Sequence, residues 1–537
     1  MHARPPTHEH HLGTIVLRAC RAHRPVRAIE SSTLSLDYGE LAERAQAIAA
    51  RLANAGIAPD EPVPVLLSNH PLDLVAFVGV WLAGGVVVPV HRANPAAAVA
   101  QYLDATGARL GIDALGCAEL PGGWARDAEL VRAERPCPAA RAELADGAFV
   151  IFTSGSTGQP KGVVLSHRAF GGKLDAIDSL LRFGPGERTL LVLNLTFSFG
   201  NWVSLLALKT GGTLVMQEKF APQSFVDVLA SGAIARVGVV PTMMRALFAS
   251  RIDPQGLRAG PGEGVDAGAH RGTSVDVSAH PGVTVGAGGV AAGGTGALRQ
   301  ILIGGEPMGR SLAAQLMARF PRARLIDIYG LTETSTSDFF LFPEDHPRYS
   351  GCIGRPSPGV RFRIAAPDGA VVPEGEVGEL QIRTPFAMNA YLDAPDLTRA
   401  AYQDGWLRTG DMARLRDGEV VELAGRAKEI ISRGGNKVSP LEIELVFADH
   451  PEVAAAMATG VTDPILGERI HLLVVPLPGR APAEAALREF AAARLPKYKQ
   501  PDVIRFAAEL PLGRTGKADR AALRRAIESG GTPGSAR

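Results

Sequence analysis

Strand-like and helix-like segments take turns through the N-terminal part of the 537-residue chain, and this alternation limits the possible folds more than any other feature. Across residues 38–54, Leu41, Ala45, Ile48 and Leu52 recur at three- to four-residue spacing, predicting an amphipathic helix that closes near Gly56. The run Val63-Pro64-Val65-Leu66-Leu67 follows as a buried strand. The exchange returns at residues 189–193, 213–216, 237–240, 300–303 and 325–328. Parallel strands need a crossover between them, usually a helix, so the reading is α/β with layers built on largely parallel sheets. A chain of this length exceeds one ordinary core and suits one large and one small domain.

Residues 74–90 form the most apolar stretch, but Gly84-Gly85 and Pro89 interrupt it, and it falls short of the ~20 residues of a membrane span. A buried helix running into a buried strand is expected there, with no membrane span. Residues 259–296 break the alternation: roughly one-third is glycine and large apolar side chains are almost absent. Such a segment buries too little surface to offset its ordering entropy and reads as a disordered surface insertion. Beyond Glu422 a smaller α+β unit begins. Ser439-Pro440-Leu441-Glu442 has the form of a capping box with proline at the first helical position, and a second helix is expected over residues 482–495. Strands are expected at residues 470–475 and 503–506. These signals divide the chain into residues 1–424 and 428–530, with the boundary near Gly425 to Lys428.

Fifty-six basic against 55 acidic residues give no electrostatic case for nucleic acid or an anionic membrane. Cys20, Cys117, Cys137 and Cys352 form no CxxC pair, hence neither a disulfide framework nor a zinc site, and a reducing cytoplasm is the expected compartment. No basic segment followed by an apolar run opens the chain, so no secretory signal is expected.

The strongest local signal is Phe152-Thr153-Ser154-Gly155-Ser156-Thr157-Gly158-Gln159-Pro160-Lys161-Gly162, directly after the strand-like residues 148–151. Small residues let backbone N–H groups converge, the hydroxyls add donors and Lys161 adds a cation, which suits polyphosphate oxygens. The P-loop pattern requires Gly-Lys-Ser/Thr, and here Pro160 and Gly162 flank the lysine, so a P-loop kinase or GTPase is excluded. The segment resembles the phosphate loop of the adenylate-forming superfamily of acyl- and aryl-CoA synthetases, peptide-synthetase adenylation domains and luciferases. Further motifs of that family follow in order: Gly304-Gly305-Glu306-Pro307, Tyr329-Gly330-Leu331-Thr332-Glu333-Thr334, Gly405-Trp406-Leu407-Arg408-Thr409-Gly410-Asp411, Gly425-Arg426-Ala427-Lys428-Glu429-Ile430, Gly434-Gly435-Asn436-Lys437-Val438-Ser439-Pro440 and Gly513-Arg514-Thr515-Gly516-Lys517. The resemblance covers about residues 12–525.

The resemblance implies an ATP-dependent ligase that makes an acyl-adenylate, releases pyrophosphate and passes the acyl group to the thiol of coenzyme A. Thr153 to Lys161 would hold the β- and γ-phosphates, Thr332 would touch the α-phosphate and Glu333 would ligate Mg²⁺. Tyr329, Gly330 and the Gly305-Glu306-Pro307 backbone would enclose adenine, Asp411 would accept from the ribose hydroxyls and Arg426 would lie beside them. Lys517 would reach both ATP and the incoming carboxylate. The small domain would swing at Lys428, bringing Gly434, Gly435 and Lys437 toward the site with room for a pantetheine arm, Arg433 and Lys437 facing carrier phosphates. Fatty-acyl members carry histidine near Phe197, and amino-acid-activating domains carry aspartate after the phenylalanine, where this chain has Ser198. Phe197-Ser198-Phe199-Gly200 is similar to benzoate-type ligases, so these residues with Val239 and Gly304 are expected to line a pocket for an apolar aryl or medium-chain acid. Transfer to a carrier-protein phosphopantetheine, an acyl-AMP ligase and a non-catalytic nucleotide-binding protein are the alternatives.

Overall fold

A computed structural model of the protein describes residues 8–154, 160–250, 298–511 and 519–530. The insertion expected over residues 259–296 lies outside them, as do Gly155, Ser156, Thr157, Gly158 and Lys517.

The expected helix is Tyr38–Asn54, started by Asp37: its side chain accepts from the Glu40 amide at 2.7 Å while Glu40 accepts from the Asp37 amide at 2.9 Å. That reciprocal pair satisfies two orphan donors at the helix start. The apolar stretch resolves into helix Pro71–Leu82 and strand Val86–His91, both almost wholly buried. Among the described residues no helix is long and apolar enough to cross a membrane.

Two α/β layers make the large domain. One sheet runs Ala390–Tyr391, Pro160–Ser166, Gly147–Ser154, Val86–His91, Pro62–Leu67, Leu110–Ile112, Leu130–Ala133 and Trp124–Asp127, parallel at its centre. The other runs Arg355–Pro356, Phe339–Leu341, Arg324–Tyr329, Gln300–Gly304, Arg236–Val239, Arg188–Leu191, Thr213–Met216, Arg27–Glu30 and Ser35–Asp37, parallel from Arg324–Tyr329 to Arg27–Glu30. Trp81, Phe77, Phe149, Trp202 and Tyr38 fill the core between helices and sheets without exposed surface.

A third sheet departs from the parallel expectation. Arg361–Ala365, Gly378–Arg383, Trp406–Arg416, Tyr402–Gln403 and Val420–Arg426 pair antiparallel throughout. Its two tight turns are Asp404-Gly405 and Asp417-Gly418, all four residues at φ between 51° and 77°. Asp-Gly in that conformation matches the right-handed twist of a two-residue hairpin.

The small C-terminal domain folds on strands Ile431–Arg433, Asn436–Val438, Val453–Asp463, Gly467–Pro476 and Val503–Phe506 around Ile443, Phe447, Leu472 and Leu487. Helix Pro440–Ala448 begins after Ser439, but the expected capping box does not form: Ser439 makes no cap bond, and Glu442 pairs with Lys499 at 2.6 and 2.7 Å. The Ser439 hydroxyl is packed against Gly425, where an added Cβ would sit 2.2 Å from Oγ. The later helix is Glu484–Ala492, shorter than expected, and Pro482 precedes it. The small domain meets the large one at the start of helix Arg310–Arg319, where the Ser311 amide donates to Asp449 at 3.1 Å.

Candidate active site

The loops that leave the carboxyl ends of the parallel strands Gln300–Gly304 and Arg324–Tyr329 carry the two central motifs, where open α/β sheets place their ligands. Gly304 allows those strands to close up, since an added Cβ would lie 2.4 Å from the Ile328 carbonyl oxygen. Gly305 turns with φ of 84°, and Glu306 accepts from the Thr242 hydroxyl and faces Arg245 at 3.9 Å. Pro307 gives its carbonyl to the same arginine at 3.2 Å.

From Tyr329 the chain crosses Gly330, makes a single helical turn at Thr332–Thr334 and returns as strand Phe339–Leu341. The Tyr329 hydroxyl donates to Asp411 at 2.5 Å, and Arg426 holds the other carboxylate oxygen at 2.9 Å. Burial pushes the Asp411 carboxyl up, while Arg426 and the Tyr329 hydroxyl pull it down. A carboxylate offers about four lone-pair sites, so acceptor capacity remains for a diol. Arg426 is itself held above its ordinary range, chiefly by Asp411 and also by Glu333.

Glu333 is half-buried, and its Oε1 accepts from the Tyr391 hydroxyl at 2.8 Å. The Lys161 ammonium lies 5.3 Å from the centre of the same Tyr391 ring. Strand Ala390–Tyr391 pairs with Pro160–Ser166, and Lys161 faces Thr153 where Pro160–Ser166 pairs with Gly147–Ser154. Ser154 is the last residue of its strand. Contacts through Tyr391 and the Asp411–Arg426 pair thus bring Lys161, Glu333, Asp411 and Arg426 together from separate parts of the chain. Among the described residues no group of three His, Cys, Asp or Glu side chains could hold a metal ion alone. One carboxylate with a free oxygen, Glu333, is the donor set that suits Mg²⁺ arriving with phosphate oxygens of its own.

Phe197 precedes helix Ser198–Lys209, and Phe199 stacks on Trp202 at 5.5 Å. Gly200 lies against the Asn194 carbonyl, 2.6 Å from an added Cβ, so no larger residue fits. Ser198 is buried, whereas Phe197 and Phe199 are half-buried. Val239 has no exposed surface, and the next residue, Val240, is the half-buried one, 3.7 Å from a Cβ placed on Gly305.

The sequence pattern of the AMP-binding enzymes matches residues 17–392, and that of the AMP-binding enzyme C-terminal domain matches residues 442–517. The chain belongs to the AMP-binding enzymes. It is 30% identical to the sulfoacetate–CoA ligase of Cupriavidus necator, over 95% of this chain and 96% of that one. It is 29% identical to the fatty acid–[acyl-carrier-protein] ligase ScoC of Streptomyces coeruleorubidus, over 94% of both. The fold is that of ATP-bound MatB from Rhodopseudomonas palustris, with a TM-score of 0.78, 22% identity and coverage of 97% and 99%. This AMP-binding enzyme is an AMP-forming acid–thiol ligase.

In this AMP-binding enzyme the remaining described motif residues lie in the turn that follows Arg426 and in the hairpin beyond it. Lys428 is exposed in the short turn Ala427–Glu429 between the two domains. Gly434, Gly435 and Lys437 are exposed at the tip of the hairpin Ile431–Arg433 and Asn436–Val438, and Lys437 donates to Ser432 at 2.7 Å. Arg433 folds back onto Asp502 at 2.9 and 2.5 Å and is occupied there. Sequence reasoning missed Tyr391 and Asp327. Asp327 shares a strand face with Tyr329, and burial pushes its carboxyl up to about 7. A lone tyrosine or aspartate in a strand carries no pattern that marks it.

Proposed function

We propose that this AMP-binding enzyme activates an apolar aryl or medium-chain carboxylic acid with ATP and delivers the acyl group to the thiol of coenzyme A. The observation that carries this reading is the convergence of Tyr329 and Arg426 on Asp411 beside Glu333, Tyr391 and Lys161. Uniting a carboxylate with a triphosphate brings anions together, so the site must cancel charge while keeping the reactants in line. Thr153 to Lys161 hold the β- and γ-phosphates, and Thr332 donates to the α-phosphate. Tyr329 and the Gly305–Pro307 backbone enclose adenine. Asp411 takes the ribose hydroxyls on the lone pairs that Tyr329 and Arg426 leave open. Glu333 would hold the Mg²⁺ that accompanies ATP, which would supply charge neutralisation for the leaving pyrophosphate.

In the first step the acid's oxygen attacks the α-phosphorus and pyrophosphate departs, with Lys517 bridging carboxylate and phosphate. In the second the thiol sulfur attacks the acyl carbonyl, loses its proton and expels AMP. The exposed hairpin carrying Gly434 and Gly435 serves this second step after the small domain turns at Lys428. Phe197 and Phe199 give the pocket an apolar face, and no aspartate stands at Ser198 to pair with an ammonium. ATP and coenzyme A as reactants, together with four free cysteines, favour the cytoplasm.

A second reading, transfer to a carrier-protein phosphopantetheine, is supported by the similarity to the Streptomyces carrier-protein ligase. Pyrophosphate release with ATP, Mg²⁺ and a panel of benzoates, fatty acids and amino acids, with and without coenzyme A, tests both. Acid-dependent release with an acyl-CoA product is expected. Release without a thioester replaces the first reading by the second.

A further inference from the structure

The turn that bears Thr332 and Glu333 is an improbable piece of backbone. Ser335, Thr336 and Ser337 follow one another at φ of 56°, 72° and 52°, and all are buried. Left-handed conformations are unfavourable for residues with a Cβ, and short polar side chains only soften this. Three in a row persist only where the surroundings over-determine them. What does so is a charge with no place in the reaction described above. Asp338, with no exposed surface, ends the turn and folds its carboxylate back across it. One oxygen accepts from the Leu331 amide at 3.3 Å and from the Thr334 hydroxyl. The other meets Lys173 at 2.9 Å.

Lys173 is 1% exposed. It extends from helix His167–Leu181, which directly follows the strand leaving the phosphate loop. Its ammonium donates also to the Ser357 hydroxyl at 3.2 Å and lies 5.3 Å from the Phe386 ring centre. Phe386 and Met388 in turn brace the turn itself: the Phe386 carbonyl accepts from Ser335 at 2.8 Å, and the Met388 amide donates to the Glu333 carbonyl at 2.7 Å. A continuous chain of contacts therefore runs from the helix behind the phosphate loop to the backbone of Glu333.

We propose that the buried Lys173–Asp338 pair positions the Thr332–Glu333 turn, so that the carboxylate meant for the nucleotide's divalent ion is held in register with Lys161 across Tyr391. The inference rests on the reading of Glu333 as the residue that meets that ion. Neither Lys173 nor Asp338 touches a reactant; both are positioning residues. A buried ion pair replaced by apolar groups is often neutral for stability, which argues that this one is kept for geometry.

The test compares wild type, Glu333→Gln, Asp338→Asn, Lys173→Met and the double variant Lys173→Met/Asp338→Asn. ATP affinity is measured by titration calorimetry with and without Mg²⁺, alongside thermal unfolding. Both half-reactions are then measured separately, the second from chemically made acyl-AMP and coenzyme A. The gain in ATP affinity conferred by Mg²⁺ is expected to fall about 10–100-fold in Asp338→Asn, and likewise in Glu333→Gln. Acyl-adenylate formation is expected to drop about 10²-fold while thiolysis changes little. Single variants that leave a buried charge unpaired can fail to fold; the double variant removes both charges and is expected to melt near the wild type yet keep the Mg²⁺ defect. A double variant with wild-type Mg²⁺ dependence, or equal losses in both half-reactions with that dependence unchanged, overturns the proposal. A defect in Glu333→Gln without one in the double variant overturns the anchor alone, whereas no defect in Glu333→Gln overturns the reading beneath it.

Discussion

Two turns in this molecule reverse the chain through left-handed backbone, and they do so by opposite means. The turn from Gly330 to Asp338 uses serine and threonine at its left-handed positions and buries them under an ion pair. The hairpin tip at Gly434 and Gly435 uses glycine at φ of 54° and 80°, and it stands exposed above the Arg433–Asp502 pair at its base. Glycine reaches this region without penalty, whereas other residues must be held there by their neighbours. A turn held from outside fixes the direction of its side chains, which is what phosphate and metal ligands need. A turn made of glycine presents bare backbone, which a long thin substituent can pass closely. On the proposed function, the first half-reaction would draw on a prepared site and the second on an accessible edge.

The largest effect that sharpens this contrast is expected at Lys517, which follows Gly513 and Gly516 in the sequence. Lys517→Ala should reduce acyl-adenylate formation about 10²–10³-fold, the scale of losing one charge-stabilising group. Thiolysis of supplied acyl-AMP should stay near wild type. Equal loss in both steps would dissolve the division of labour between the turns.

Asp411→Asn comes next. It keeps the shape but loses a charge that receives both Tyr329 and Arg426. Hydrogen bonds to charged groups are worth about 1.5–3 kcal/mol, so ATP affinity should weaken about 10–100-fold by calorimetry. An unchanged affinity would remove Asp411 from the prepared site.

Asp411 and Tyr391 also mark how far the sequence could be read. The motif around Asp411 was legible because its residue types and order repeat a family pattern. Tyr391 was not, because it reaches Glu333 across 58 positions through strand pairing, and no local pattern encodes that register. The parallel sheets were legible from alternation: the strands expected at residues 63–67, 189–193, 213–216, 237–240, 300–303 and 325–328 fall within two residues of those bounds, whereas Arg27–Glu30 and Leu110–Ile112 were not read. The antiparallel sheet was not read from the sequence: its strands are partly exposed, and its Asp404-Gly405 and Asp417-Gly418 turns went unnoticed. Ser439 shows a local rule overridden: the sequence favours a capping box, and packing against Gly425 turned the hydroxyl away.

The glycine hairpin can be broken directly. Gly435→Val places a β-branched side chain at φ of 80°, with open space around it, so the penalty is conformational. At about 1–2 kcal/mol it should slow thiolysis about tenfold while adenylate formation is preserved. Equal slowing of both steps would show that the hairpin is not reserved for the thiol.

The smallest expected effect concerns the frame that carries Lys173. His11 is 1% exposed, its ring centre 3.8 Å from that of His167 at the start of helix His167–Leu181, with His8 and Asp146 alongside. Burial, helped by His8, lowers the His11 imidazole to about 4, while Asp146 opposes the shift. His167 is lowered for the same reason, burial first and the neighbouring imidazoles second. Below about pH 6.5 the unfolded chain binds these protons and the folded chain does not, so stability must fall as pH falls. The loss for His11 is about 1.4 kcal/mol per pH unit, absent above pH 6.5 and complete near pH 4. Urea unfolding midpoints at pH 7, 6 and 5 should therefore decline in the wild type, and His11→Asn should remove one proton's share of that slope. An unaltered slope would mean that the imidazole stack does not govern how firmly this helix is seated, leaving the Lys173–Asp338 contact as its main tether to the Glu333 turn.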